Sequence, residues 1–308
     1  PFWFIEGDAV IAETALSTSG RGRFPAFLME HKAQVVENGV FSFDKAFNGS
    51  YKDFVPDHYK LGYLLVGETR AKFGSDLWSH TVDQLAQRPL SVTPVNKMLR
   101  LLTGKNQEQL YRMVFDSLRK AWLQEDLGFA APPSVALTHP PAVYTNYRYN
   151  HILPDGSVVS LKTSYDQIPR FVKLDETGDE ETLIVPGQLF EESVGYRNQS
   201  IVWSEYVPDE RWSHSGRSFI RIYQMDEKRM KTLIPDYTCF APSISPDEHN
   251  VAVIETDFAN HYYLSVYDAS SGDLQVRYQT PENNYLFSPV WKDERELYVV
   301  MLTEKGKQ

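Results

Sequence analysis

One interval dominates the second half of the chain. The turn-forming runs Pro154-Asp155-Gly156, Pro246-Asp247 and Lys292-Asp293 recur there, each beside an apolar pair and a β-rich run. Ile152-Leu153-Pro154-Asp155-Gly156-Ser157-Val158-Val159 resembles Ile244-Ser245-Pro246-Asp247-Glu248-His249-Asn250-Val251-Ala252-Val253. Phe287-Ser288-Pro289-Val290-Trp291-Lys292-Asp293 repeats the pattern, and Tyr196-Arg197-Asn198-Gln199-Ser200-Ile201-Val202-Trp203 fits between with its turn degraded. From Asp155 the matching positions Asn198, Asp247 and Asp293 follow at 43, 49 and 46 residues. Alternation predicts strands over 157–162, 170–174, 200–206, 218–223, 250–255, 262–268, 274–278 and 296–302. Four short strands in every ~40–50 residues is the period of a β-propeller blade. About three and a half such blades fit into 142–308. An open end would expose a sheet edge, so the chain is expected to be truncated at its C-terminus.

The tract Ser265-Val266-Tyr267-Asp268-Ala269-Ser270-Ser271-Gly272-Asp273-Leu274 reads as a hairpin whose V-Y-D strand meets an S-G turn. With the S-P-D turns it resembles the TolB-like propeller repeat of envelope proteins. The resemblance implies recognition of protein or peptide, with an envelope protein as a possible partner. Asp155, Asp247 and Asp293 are turn residues by position rather than calcium ligands. Trp203, Trp212 and Trp291 are expected to pack between blades.

The first half has helical periodicity instead. Ala26 to Asn38 is read as a helix stopped by Gly39, and Asp57 caps a helix running to Phe73-Gly74. Further helices are expected from Asp76 to Gln87, with Leu77, Trp78, Val82 and Leu85 on one face, from Asn96 to Thr103 and from Gln107 to Glu125. Phe41 to Tyr51 reads as an aromatic loop. Pro132-Pro133 and Pro140-Pro141 mark a proline-rich hinge. The expectation is a multidomain α + β chain: a helical domain over 1–135, truncated at its N-terminus, and an incomplete β-propeller of four-stranded blades over 142–308.

The chemistry gathers at the start. In Trp3-Phe4-Ile5-Glu6-Gly7-Asp8-Ala9-Val10, apolar residues surround a carboxylate. Such a group is costly unless a cation or metal meets it. Gly7 would cost an apolar helix about 1 kcal/mol against alanine, which suggests that something approaches the backbone closely. Glu13 lies seven residues on, two turns away on the same face. Ser17 to Pro25 is a glycine-rich loop carrying Arg21 and Arg23. Its guanidinium groups are placed to grip Glu13 or a substrate carboxylate, or to pair with Glu6.

This stretch resembles the W-[FL]-x-E-G-x-A segment of gluzincin metallopeptidases, the thermolysin-like, aminopeptidase-N-like and peptidase MA-like superfamily. The resemblance makes Glu6 the third zinc ligand and Glu13 the second glutamate of the same helix. His58-Tyr59-Lys60-Leu61-Gly62-Tyr63 is similar to the family's P-Y-x-x-G helix. It implies that Tyr59 stabilises the tetrahedral oxyanion. His58 stands where the family often has proline, and reads as substrate-binding or capping. The family also needs H-E-x-x-H, and no two of the eight histidines here are paired at i+4. The chain begins at Pro1, so the missing motif is expected upstream; zinc is implied only if those histidines exist. The sequence as given is then expected to be inactive.

Net charge is −10 with pI near 5.3, which argues against a nucleic-acid partner. No run of ~18 apolar residues is present, so no transmembrane segment is visible. Two functions follow. One is an exported zinc metallopeptidase acting on a peptide or protein substrate, with a recognition propeller, periplasmic or outer-membrane-associated in a Gram-negative bacterium. The other is an inactive peptidase-like scaffold whose propeller binds proteins in the cell envelope.

Overall fold

The computed structural model describes residues 2–87, 93–128, 134–212 and 216–307, without the side chains of 190–193 and 307. The chain divides into two compact units, Pro1–Val135 with Ala142–Tyr144 and Ala136–Pro141 with Thr145–Gln308. Pro132-Pro133 of the expected hinge lies outside the described residues.

The first unit is helical: α1 (Phe2–Leu16), α2 (Pro25–Asn38), α3 (Phe43–Asn48), α4 (His58–Phe73), α5 (Leu77–Ala86), α6 (Pro94–Thr103) and α7 (Gln107–Asp126). Their ends follow local chemistry. Asp57 accepts from the Lys60 amide to cap α4, and Gly74 ends that helix at φ +102°. Asn106 and Gln109 form a reciprocal capping box on α7. Asp57→Ala is expected to cost about 1 kcal/mol of helical-unit stability, read as a lower urea midpoint with an unchanged slope.

Two expectations are corrected here. Phe41 to Tyr51 is not all loop, because the Ser42 hydroxyl accepts from the Lys45 amide and starts α3. Val82 is exposed, and α5 buries Leu77, Trp78 and Thr81 instead. The core is aromatic: Trp3 meets Trp78 edge to face at 5.5 Å, and Phe4 stacks on Trp78 at 4.8 Å. The Trp78 indole donates to the Thr69 hydroxyl at 2.9 Å, which satisfies its buried N–H.

The second unit is a run of antiparallel up-and-down sheets. β1 (Thr145–Ile152), β2 (Val158–Ser164), β3 (Arg170–Leu174) and β4 (Glu180–Ile184) form the first sheet. β5 (Gln188–Arg197), β6 (Ser200–Pro208), β7 (Gly216–Gln224) and β8 (Arg229–Leu233) form the second. β9 (Thr238–Ile244), β10 (Asn250–Thr256), β11 (Tyr262–Asp268) and β12 (Leu274–Gln279) form the third. β13 (Tyr285–Trp291), β14 (Leu297–Thr303) and β15 (Gly306–Lys307) form a three-stranded fourth. This succession of short meander sheets is propeller-like.

The sheets bury one another. Leu161 and Phe171 of the first cluster with Ile201, Trp203 and Tyr223 of the second. Val202, Ile220 and Ile222 of the second cluster with Ile244, Val251 and Val253 of the third. Asp155, Asp247 and Asp293 accept from the backbone N–H of Ser157, His249 and Arg295, as turn residues do. Trp203 is fully buried between sheets, and the Trp291 indole donates to the Ser243 carbonyl of the neighbouring sheet at 2.9 Å. Trp212 is corrected: it is 64% exposed.

The Ser288-Pro289 step lies within β13 rather than in a turn. Ser288 adopts φ +41° at a break in the β13–β14 register. Tyr149 (φ +55°) and Ala241 (φ +51°) occupy the corresponding bulges of β1 and β9. The repeat therefore includes a kinked first strand as well as a turn.

Candidate functional site

α1 and α4 meet backbone to backbone. A Cβ on Gly7 would lie 2.1 Å from the Gly62 carbonyl carbon, and one on Gly62 would lie 2.0 Å from the Trp3 carbonyl oxygen. The partner that Gly7 requires is thus another backbone. Two facing glycines let the helices touch, which sets the height of every side chain along the seam.

Along that seam four sequence-derived candidates meet. The Glu6 carboxylate faces the Tyr59 phenol, and its pull on the phenolic proton and its negative charge hold the phenol above its usual range. The Arg21 guanidinium carbon sits 5.0 Å from the centre of the Tyr59 ring, a cation–π distance. Arg21 also binds Glu13 twice: its amide donates to Oε1 at 2.9 Å and its Nε to Oε2 at 2.8 Å. The Arg21 amide and then its guanidinium keep the Glu13 carboxyl below the ordinary carboxylate range. Glu6, Tyr59, Arg21 and Glu13 therefore form one continuous polar chain, half open to solvent. Arg21 takes Glu13 as its partner, and Glu6 faces the phenol.

The other two candidates lie beside this chain. Arg23 Nη2 donates to the Thr14 carbonyl at 2.7 Å. The His58 ring stands edge-on to Phe2 at 5.3 Å, while the cap of α4 is Asp57. Residues not singled out from the sequence complete the support. The Thr14 hydroxyl accepts from the Gly22 amide at 3.2 Å, and the Tyr63 hydroxyl donates to the Gly22 carbonyl at 3.4 Å. Asp8 pairs with Arg70 at 2.5 Å. The glycine of His58-Tyr59-Lys60-Leu61-Gly62-Tyr63 was the visible signal for this packing.

Chemically, the site offers one carboxylate and one phenolic donor. Among the described residues no group of three or more His, Cys, Asp or Glu side chains is arranged to hold a metal ion. Catalytic zinc takes three protein ligands, so the described residues alone do not fit zinc. Among the described residues, no helix is long and apolar enough to cross a membrane.

No family model matches the chain, and no curated protein matches it. Among solved structures it is similar to an acylaminoacyl peptidase, at 18% identity over 37% of this chain and 17% of that one, with a TM-score of 0.31. It is similar to TolB from Acinetobacter baumannii, at 13% identity over 51% of this chain and 40% of that one, with a TM-score of 0.35. The β-propeller domain of the Trilobed protease from Pyrococcus furiosus matches at 7% identity over 54% of this chain and 57% of that one, with a TM-score of 0.33. The chain thus spans less than two thirds of each. The scores are low, so the succession of sheets within this chain carries the fold assignment.

Proposed function

We propose that the chain is part of a peptide-handling protein of gluzincin type, in which the helical unit carries one carboxylate of a metal site and the propeller-like unit recognises peptide or protein. The observation supporting this reading is that the Gly7–Gly62 backbone contact brings α1 and α4 together, with Glu6 and Tyr59 facing each other beside it. Glu6 belongs to the segment resembling the family's third zinc ligand, and Tyr59 to the segment resembling its oxyanion donor. The remaining ligands would come from outside the described residues. What Tyr59 contributes is a phenolic O–H beside an anionic group. A developing oxyanion needs such a donor. Glu13 and Arg21 hold the loop and the ring beside it. The resemblance of the sheet repeats to envelope propellers supports, in this reading, a site in the periplasm or at the outer membrane of a Gram-negative bacterium.

The test uses the full-length gene product on a peptide library. Tyr59→Phe is expected to lower kcat by about 10²–10³-fold with KM little changed, and Glu6→Gln to lower bound zinc as measured by elemental analysis. Peptide hydrolysis indifferent to both substitutions would overturn the proposal. The second reading, an inactive scaffold, is favoured by the absence of a three-ligand group among the described residues. It predicts no zinc and no hydrolysis in the full-length protein, with partner capture retained by the sheet unit.

A further inference from the structure

A cleft of about 420 Å3 opens on the helical unit beside the α1–α4 contact. Ile11, Leu28 and Tyr63 supply apolar walls, Gly67 lies on the α4 side, and Arg23 and Glu68 bring one charge of each sign. Its size and mixed lining are those of a small-molecule site.

Gly67 is the telling residue. It stands inside α4, where glycine weakens a helix. Nothing in the packing demands it: a Cβ there would meet only Ile11 Cδ1, at 3.8 Å. Gly62, five residues earlier, is required by a backbone contact, and Gly67 is not. What the missing side chain preserves is the empty volume of the cleft. The polar groups are available as well. Arg23 spends Nη2 on the Thr14 carbonyl, and its other guanidinium donors have no protein acceptor among the described residues. Glu68 is exposed, with no protein partner among the described residues.

We propose that this cleft binds a short apolar peptide with free ends, its side chains against Ile11, Leu28 and Tyr63, its carboxylate on Arg23 and its ammonium on Glu68. Guanidinium forms a bidentate fork with a carboxylate, and a terminal ammonium pairs with Glu68 by charge. The inference extends the peptide-handling reading but needs neither zinc nor hydrolysis.

The test is calorimetric titration of this chain with Leu-Leu. Binding is expected in wild type, reduced about tenfold by Arg23→Gln and by Glu68→Gln, as expected when one charged hydrogen bond is lost. Gly67→Leu is expected to abolish it by filling the recess; Gly67→Ala, which stays folded, should weaken it in part. N-acetyl-Leu-Leu should become insensitive to Glu68→Gln, and Leu-Leu amide to Arg23→Gln. Octanoate binding as tightly as Leu-Leu and indifferent to Glu68→Gln would assign the cleft to an anionic amphiphile and overturn the proposal. No Leu-Leu binding at millimolar concentration would also overturn it. Loss of hydrolysis in Tyr59→Phe bears only on the catalytic reading, so the two ideas fail separately.

Discussion

Alanine at Gly62 is expected to destabilise the helical unit by about 3 kcal/mol or more, whereas alanine at Gly67 in the same helix is expected to stabilise it by about 1 kcal/mol. The substitution is identical and both sites are helical, so propensity alone predicts a gain at each. The difference is what the new methyl group meets. At Gly62 it would sit 2.0 Å from the Trp3 carbonyl oxygen, and at Gly67 it would sit 3.8 Å from a side-chain carbon. Backbone cannot rotate away as a side-chain tip can, so α1 and α4 must separate. Separation also pulls Glu6 from Tyr59. Gly62→Ala should therefore draw the Glu6 carboxylate away from the Tyr59 phenol, while Gly67→Ala leaves the two facing each other. Urea midpoints of the two variants measure the first effect, and the Tyr59 hydroxyl resonance or a crystal structure measures the second. Equal stability changes at the two glycines would refute the close crossing.

The sequence foretold the two architectures because each has a period that composition does not blur. Asp155, Asn198, Asp247 and Asp293 mark the sheet repeat, and Asp57 and Gly74 bracket α4 to the residue. Strands β1, β4, β5, β8, β9, β13 and β15 lie outside the alternating runs read from the sequence. Glu180–Ile184 and Arg229–Leu233 are short and largely polar, and Thr238–Ile244 contains a proline at a bulge. Their pairing comes from neighbours already in place, which alternation in one strand cannot reveal. α3 was hidden for a similar reason: six residues hold too little periodicity, and its start depends on one Ser42 hydrogen bond. At the site, Gly7 announced a close approach but not its partner. The pairing of Arg21 with Glu13 rather than Glu6 needs the loop's path, which Thr14 and Tyr63 fix through Gly22. Neither is marked in the sequence by an unusual residue type.

His31 supplies the other large effect: acid should destabilise the helical unit through this residue, by about 2 kcal/mol at pH 5 and about 4 kcal/mol by pH 3. The ring is 2% exposed, lies 5.1 Å from Phe115 and 6.4 Å from Trp122, and its Nδ1 has no hydrogen-bond partner among the described residues. Burial, with a smaller contribution from the Lys60 charge, pushes its pKa down to about 3. The folded chain therefore refuses a proton that the unfolded chain accepts below about 6.5. Since the unfolded state binds more protons in that window, stability rises with pH. It is complete above the unfolded value and drains away as pH falls from about 6.5 toward 3. Leu at position 31 keeps the site apolar and cannot titrate. Hydrogen exchange of the α2 and α7 amides between pH 7.5 and 4, corrected for intrinsic rates, should show the wild-type opening free energy falling with acid. The His31→Leu slope should be flatter by about the amounts given. Because carboxylates such as Glu13 titrate in both proteins, only the difference between the two slopes belongs to His31. Parallel slopes would mean that the imidazole is solvated or paired in solution, and that the aromatic pocket around it opens well before the unit unfolds.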